Sequence, residues 1–333
     1  MKTINRLWSV VLLSMCFASC ITTVERSSLG LALGGGGAKG AAEVGVLMIL
    51  DSAEVQVGYI AGSSMGAVVG GLYAAGYSGK EIRDLWLTED WLTLFDKSAI
   101  GSAHKGGYND VDRNIFGVVE GDDFERRLNE AFEKKGVETF DDLRDKGIEF
   151  CCTATQLYDN GNLDTVVLSK GNLAQAIHAS MAYPAPIVGI DPVVIDGKTL
   201  VDGGMLNNLP VDVVKKMGAK RVIAVDLEQK RKEEHNFIVK AGINFILGKF
   251  HKELRYTNTD WLLRWEKDRK DVYQHRVNFE AADVKVWPSL PNPYGVKSFG
   301  REHVEQMILI GKQAMLDQMS KVKDILEEEA TSK

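Results

Sequence analysis

Apolar positions change their spacing several times along this chain, and each change marks an element. Leu29 to Leu33 is an unbroken apolar and glycine run of strand length. It leads into Gly34-Gly35-Gly36-Gly37-Ala38-Lys39-Gly40, after which Ala41 to Leu50 carries apolar residues at helical spacing. Val55 to Ala61 predicts a second strand, and the small residues Ala67, Gly70 and Gly71 belong to a helix that can lie close to a sheet. Glu81 to Leu87 and Phe124 to Phe132 have helical periodicity. Phe150 to Thr155 and Thr165 to Leu168 predict buried strands, followed by a short helix over Leu173 to Ala179 and a short strand ending at Val201. Val211 to Met217 predicts a helix stopped by Gly218, and Arg221 to Val225 another strand. Strands that alternate with helices in this way predict a mostly parallel sheet covered on both faces. Pro288, Pro291 and Pro293 mark an irregular connection, and a stripe from Val304 through Met307, Ile308, Met315, Met319 and Val322 to Leu326 predicts one long C-terminal helix.

The first twenty residues follow a different pattern. Lys2 and Arg6 precede an apolar stretch from Leu7 to Ala18, shorter than the roughly 20 residues needed to span a bilayer. It closes on Phe17-Ala18-Ser19-Cys20, which resembles a bacterial lipobox with Phe in place of the usual Leu. Residues 1–19 are therefore expected to be a lipoprotein signal peptide and Cys20 the lipidated residue. An ordinary signal peptide or an uncleaved anchor would have the same charge and apolar pattern.

Composition narrows the class. The 333 residues are 45% hydrophobic and 26% charged, which excludes a disordered chain, a collagen-like repeat and a multi-span membrane protein. A net charge of −6 provides no basic field for nucleic acid. Four cysteines are too few for a disulfide scaffold, and Cys151 and Cys152 read as small buried strand residues rather than a redox pair. No zinc-ligand spacing or EF-hand pattern occurs, so neither metal nor cofactor is expected. The uneven feature is glycine: 13 of the 33 fall between Gly30 and Gly76, where backbone must come close to something or adopt unusual angles.

Three kinds of chemistry use a glycine loop between a strand and a helix. A P-loop needs Lys-Ser or Lys-Thr at its end, but here Lys39-Gly40 is followed by Ala41. A dinucleotide site is matched by Gly35, Gly37 and Gly40, yet it also wants a carboxylate at the end of the second strand. That strand ends instead in Gly62-Ser63-Ser64-Met65-Gly66, the Gly-x-Ser-x-Gly of a nucleophile elbow between strand and helix. Loop N–H groups nearby suit an oxyanion hole. Ser64 then needs a base. None of the histidines at 104, 178, 235, 251, 275 and 303 sits in a motif, and His178 reads as a helix-surface or packing residue. Asp202, at a strand end before Gly203-Gly204, is the better candidate, although Asp-Gly-Gly is also an ordinary hairpin turn.

Four blocks in order, Gly35 to Gly40, Gly62 to Gly66, Ala179-Ser180-Met181-Ala182-Tyr183-Pro184 and Asp202 to Gly204, resemble the patatin-like phospholipase family, most closely its bacterial members. The resemblance spans residues 29–226. It implies a three-layer α/β/α sandwich with a mostly parallel central sheet, extended by a mainly helical C-terminal region over 229–333 that packs on it. It further implies a Ser–Asp dyad of Ser64 and Asp202 without histidine, and an oxyanion hole from Gly35, Gly36 and Gly37. Gly40, Gly62, Gly66, Gly203 and Gly204 would support the motif. Lys39 stands where many members carry Arg, and either cation suits holding the loop or meeting a lipid phosphate. The implied activity is a serine lipid acyl hydrolase of phospholipase A or esterase type, acting through an acyl-enzyme on phospholipid or another acyl ester. An acyltransferase or thioesterase using the same dyad, or a catalytically silent lipid-binding lipoprotein, are the alternatives. With Cys20 lipidated, the expected location is the bacterial cell envelope. Residues 229–276 hold twelve Lys+Arg against seven Asp+Glu, a local +5, with Trp261 and Trp265 among them. They read either as a basic, aromatic membrane-facing lid or as plain covering helices.

Overall fold

The computed structural model describes residues 26–96, 121–158, 162–183, 192–228, 270–290 and 300–331. The signal-like segment with Cys20, Pro184, and most of the basic stretch 229–276 lie outside them. Among the described residues no helix is long and apolar enough to cross a membrane.

The strands are β1 (Leu29–Leu33), β2 (Tyr59–Ser63), β3 (Glu149–Leu157), β4 (Leu163–Leu168), β5 (Val193–Ile195), β6 (Lys198–Asp202), β7 (Arg221–Val225) and β8 (Val284–Val286). They form one sheet in the order β5-β6-β3-β2-β1-β7-β8, with β4 also paired to β3. The pairings β2–β1, β1–β7, β2–β3 and β7–β8 are parallel, as the alternation of elements predicts. The pairings of β3 with β4 and β6, and of β5 with β6, are antiparallel, so one flank of the sheet is a meander.

The described helices are α1 (Ala41–Ser52), α2 (Met65–Ala74), α3 (Gly79–Trp86), α4 (Glu89–Asp96), α5 (Gly121–Glu133), α6 (Phe140–Asp145), α7 (Leu173–Met181), α8 (Val211–Met217), α9 (Lys270–Ala281), α10 (Arg301–Leu316) and α11 (Met319–Thr331). They cover both faces, and the strand residues differ accordingly. Leu29, Leu31 and Leu33 of β1 join Ile60, Phe150 and Ile223 in the larger apolar cluster, packed by α1, α2, α5, α7 and α10. Ala32, Ala61, Cys151 and Ala224 face the other way, onto α8 and its neighbours. Small residues are required on that face: a Cβ on Gly30 would stand 2.2 Å from Val214 Cγ1. Alternation along a strand thus puts Cys151 and Cys152 on opposite faces, each a buried free thiol. Burial pushes both thiols well up.

Two features of the C-terminal region differ from expectation. The single long helix is two, α10 and α11, parted at Asp317-Gln318, where Gln318 N–H bonds the Met315 carbonyl and tightens the last turn. The break lets α11 return to the sheet, where Glu329 accepts from Ser28 Oγ and Glu328 pairs with Arg221. The region also supplies a strand, β8, beside β7. α10 lies against α1 at near backbone contact: a Cβ on Gly311 would be 1.8 Å from the Ala42 carbonyl oxygen, and one on Gly45 2.0 Å from that of Ile308.

Candidate active site

Two strand ends make the site. Cys152 and Thr153 of β3 pair with β2 and with β4, so those two strands lie on opposite sides of β3. Residues 154–157 pair with β4 and β6, which puts β6 on the same side as β2. β2 is parallel to β3 and ends at Ser63 opposite Thr153, while antiparallel β6 ends at Asp202 opposite Ala154. The two C-terminal ends therefore meet head to head along one edge of β3, and the residue after Ser63 faces Asp202. Ser64 Oγ donates to Asp202 Oδ2 at 2.7 Å.

The turn after β2 is as tight as a nucleophile elbow demands. Ser64 has φ +51° and ψ −123°, a strained conformation for a residue with a Cβ. A Cβ on Gly62 would lie 2.3 Å from the Gly66 carbonyl oxygen, and one on Gly66 2.4 Å from that of Leu33. Both glycines are thus fixed by the approach of α2 to the sheet. The strained residue is held on both sides: its N–H donates to Ser180 Oγ at 2.9 Å, and its carbonyl accepts from Ala67 N–H at 2.9 Å.

Asp202 is 3% exposed. Its Oδ1 accepts from Gly204 N–H at 2.7 Å, and its carbonyl from Thr155 Oγ1 at 3.0 Å. A Cβ on Gly203 would be 2.2 Å from the Thr153 carbonyl oxygen, so Asp-Gly-Gly here is a packed strand end rather than a hairpin turn. Burial raises the Asp202 carboxyl to about 6, against the lowering effect of hydrogen bonds from Ser64 and Gly204. The carboxylate is then ionised at neutral pH and more basic than an exposed one. His178 has another role: its Nδ1 sits 2.9 Å from Glu125 Oε2, and it is buried on α7.

The glycine loop lies directly against the serine, and a Cβ on Gly35 would be 2.9 Å from Ser64 Cβ. Its amides are not equivalent. Gly35 N–H donates to the Asn208 carbonyl at 3.1 Å, and the Gly35 carbonyl accepts from Asn208 Nδ2 at 3.1 Å. Gly35 is therefore a fixed point of the loop and not a free donor, which departs from the expectation for that residue. Gly36 and Gly37 are partly exposed, and among the described residues no acceptor takes the Gly36 N–H. Lys39 is half-buried in the short turn Gly37–Gly40, and a Cβ on Gly40 would meet Met65 Cγ at 2.3 Å.

A family model for patatin-like phospholipase matches residues 31–215, which hold the loop, the elbow and the Asp-Gly-Gly strand end. The chain belongs to the patatin-like phospholipase family. It is 31% identical over 209 residues to lysophospholipase NTE1 of Debaryomyces hansenii, a match covering 61% of this chain and 12% of that protein. With patatin-like phospholipase domain-containing protein 6 of Mus musculus it shares 31% identity over 214 residues, 63% of this chain and 14% of that protein. The chain thus corresponds to a small part of these longer eukaryotic relatives. Its structure also aligns with a crystal structure of the type III effector protein ExoU at TM-score 0.45 and 14% identity, covering 88% of this chain and 53% of that one.

Within this patatin-like domain, periodicity and turn chemistry pointed to neither Asn208 nor Glu43. Asn208 lies six residues beyond Asp202 in a polar pair whose partner is remote in sequence. Glu43, in the first turn of α1, is fully buried, and neither carboxylate oxygen has a hydrogen-bond partner among the described residues. Burial raises its carboxyl well above the usual range. The Gly34 N–H, already bonded to Val225 O, offsets this only in part, and the Asp226 carboxylate adds to it. An acid whose proton is held more tightly when folded loses stability as pH rises above its unfolded value. Glu43→Gln should therefore raise the melting temperature at pH 8, with the gain vanishing toward pH 4. Thermal unfolding at both pH values checks this; a lower melting point for the variant at pH 8 contradicts it.

Proposed function

We propose that the chain is a serine lipid acyl hydrolase working through a Ser64–Asp202 dyad and an acyl-enzyme. The observation that carries the reading is the 2.7 Å hydrogen bond from Ser64 Oγ to a buried carboxylate of raised basicity. Asp202 Oδ2 takes the hydroxyl proton as Ser64 Oγ attacks the ester carbonyl carbon. The oxyanion forms beside the loop, where the N–H groups of Gly36 and Gly37 are its donors. Collapse breaks the bond to the leaving alkoxide, which takes the proton from Asp202 and departs as an alcohol such as a lysophospholipid. Water then attacks the acyl-enzyme with Asp202 again as base, releasing fatty acid and restoring Ser64. The family match and the similarity to a fungal lysophospholipase support a lipid ester as the substrate. The experiment is release of free fatty acid from a panel of phospholipids and lysophospholipids by the full chain beside its Ser64→Ala variant.

The same proposal places the enzyme on a membrane of a bacterial cell envelope, anchored through lipidated Cys20. It rests on the charged, apolar and lipobox-like order of residues 1–20. Intact-mass measurement of protein from a bacterial host should show loss of residues 1–19 and addition of acyl chains. An unmodified Cys20 refutes the anchor.

A further inference from the structure

The third sequence block, Ala179 to Pro184, has no place in the chemistry derived so far, yet three successive residues of it touch the dyad. Ser180 Oγ accepts the Ser64 N–H at 2.9 Å. Met181 Sδ lies 3.7 Å from Ser64 Oγ. The Ala182 carbonyl accepts the Asp202 N–H at 2.9 Å. These groups form the C-terminal end of α7, which is buried against the sheet, with Ser180 wholly inaccessible.

The arrangement answers a mechanical problem. Ser64 and Asp202 are 138 residues apart, on two strand ends that do not pair with each other. β3 aligns the strands, but each reactive residue lies at or beyond a strand end. Ser64 is additionally strained, and its N–H belongs to the unpaired first turn of α2. A buried N–H left without an acceptor is costly, so the elbow would relax if Ser180 Oγ were removed. Serine suits the position because it supplies an acceptor with the smallest side chain that can do so.

We propose that Ser180 is a positioning residue, and that the end of α7 is a brace setting the distance between Ser64 and Asp202. Ser180 grips the nucleophile through its backbone N–H, and Ala182 grips the base through its own. Ser180 does not touch the substrate. This rests on the dyad reading above.

The test uses the full chain, a soluble short-chain p-nitrophenyl ester, and a fluorophosphonate that titrates reactive serine. Misplacing a reacting group by about 1 Å costs roughly 100-fold. Ser180→Ala should therefore lower kcat per titrated site about 10–100-fold, with KM within about twofold of the parent. The acid limb of the pH profile of kcat/KM should also move upward, because the Ser64 hydrogen bond that lowers the Asp202 carboxyl is weakened. Ser180→Thr, which keeps the acceptor, should recover most of the lost rate. Should Ser180→Ala not fold, Ser180→Cys serves the same comparison, since sulfur is a poorer acceptor of similar shape. If the variant loses only titratable sites, with kcat per site and the acid limb as in the parent, Ser180 is merely structural and the proposal is overturned. Ser64→Ala is assayed in parallel. If it turns over like the parent, the dyad reading falls and this proposal with it; if it is dead while Ser180→Ala is normal, only the brace falls.

Discussion

Ser64→Ala should release no measurable free fatty acid from any lipid that the parent hydrolyses, a loss in kcat of about 10⁴-fold or more. The size follows from the role, since without the hydroxyl no acyl-enzyme forms. What remains is binding near donors that stabilise a charge no other group in the site can generate. The fold should survive the change. The turn conformation at 64 is strained for alanine as it is for serine, and the N–H bond to Ser180 Oγ and the carbonyl bonds to α2 use only the backbone of residue 64. Asp202 keeps its Gly204 N–H but loses the Ser64 hydroxyl, which removes one of the two hydrogen bonds that lower its carboxyl. The variant should accordingly unfold near the parent temperature at pH 7. Fluorophosphonate labelling must disappear with the activity. Turnover at the parent rate by folded Ser64→Ala would falsify the nucleophile assignment.

What the sequence made legible was local. The run Leu29 to Leu33, the glycine turn and α1 follow from a change of apolar period across a glycine cluster. The elbow follows from glycines whose absence of Cβ the packing of α2 requires. Both lie within a few residues of their causes. The meeting of Ser64 with Asp202 is not local, because it depends on two strands sharing one edge of β3 in opposite directions. A mostly parallel reading contains no such meander, and the residues alone left Asp202 open to being a hairpin turn. The family resemblance joined the two residues before any geometry did. It named Ser180 without a role, and it assigned Gly35 a donor that Asn208 already occupies. That correction has the same physical origin: which amide of a glycine loop is free depends on partners far along the chain. The break at Asp317-Gln318 escaped for a related reason, since the apolar stripe continues across it while the direction of the helix does not.

Asp202→Asn should separate activity from stability in opposite directions. A carboxylate that accepts the serine proton must be ionised, so parent kcat/KM should fall tenfold per pH unit below about 6, where the buried carboxyl holds its proton. The asparagine keeps the shape and accepts the Gly204 N–H, but it has no basic oxygen. Its kcat should drop by about 10³–10⁴-fold at pH 8, and the acid limb near 6 should vanish from whatever rate remains. Stability moves the other way. The Asp202 carboxyl is raised from 3.8 unfolded to about 6 folded, so the folded state binds the proton more tightly. Its contribution is therefore most favourable below pH 4 and is lost as pH rises to 6, leaving a cost of about 3 kcal/mol at neutral pH from 1.36 kcal/mol per unit. Asparagine avoids that cost, so the variant should resist urea better than the parent at pH 8 and about equally at pH 4. A residue conserving only the fold would lose stability when replaced, and a residue unconnected to proton transfer would leave the acid limb in place. An inactive variant that is more stable at pH 8 meets neither description, because it marks a charge held in the interior for its chemistry against the preference of the fold. Retention of activity, or an acid limb still at 6 in Asp202→Asn, would transfer the base to another group.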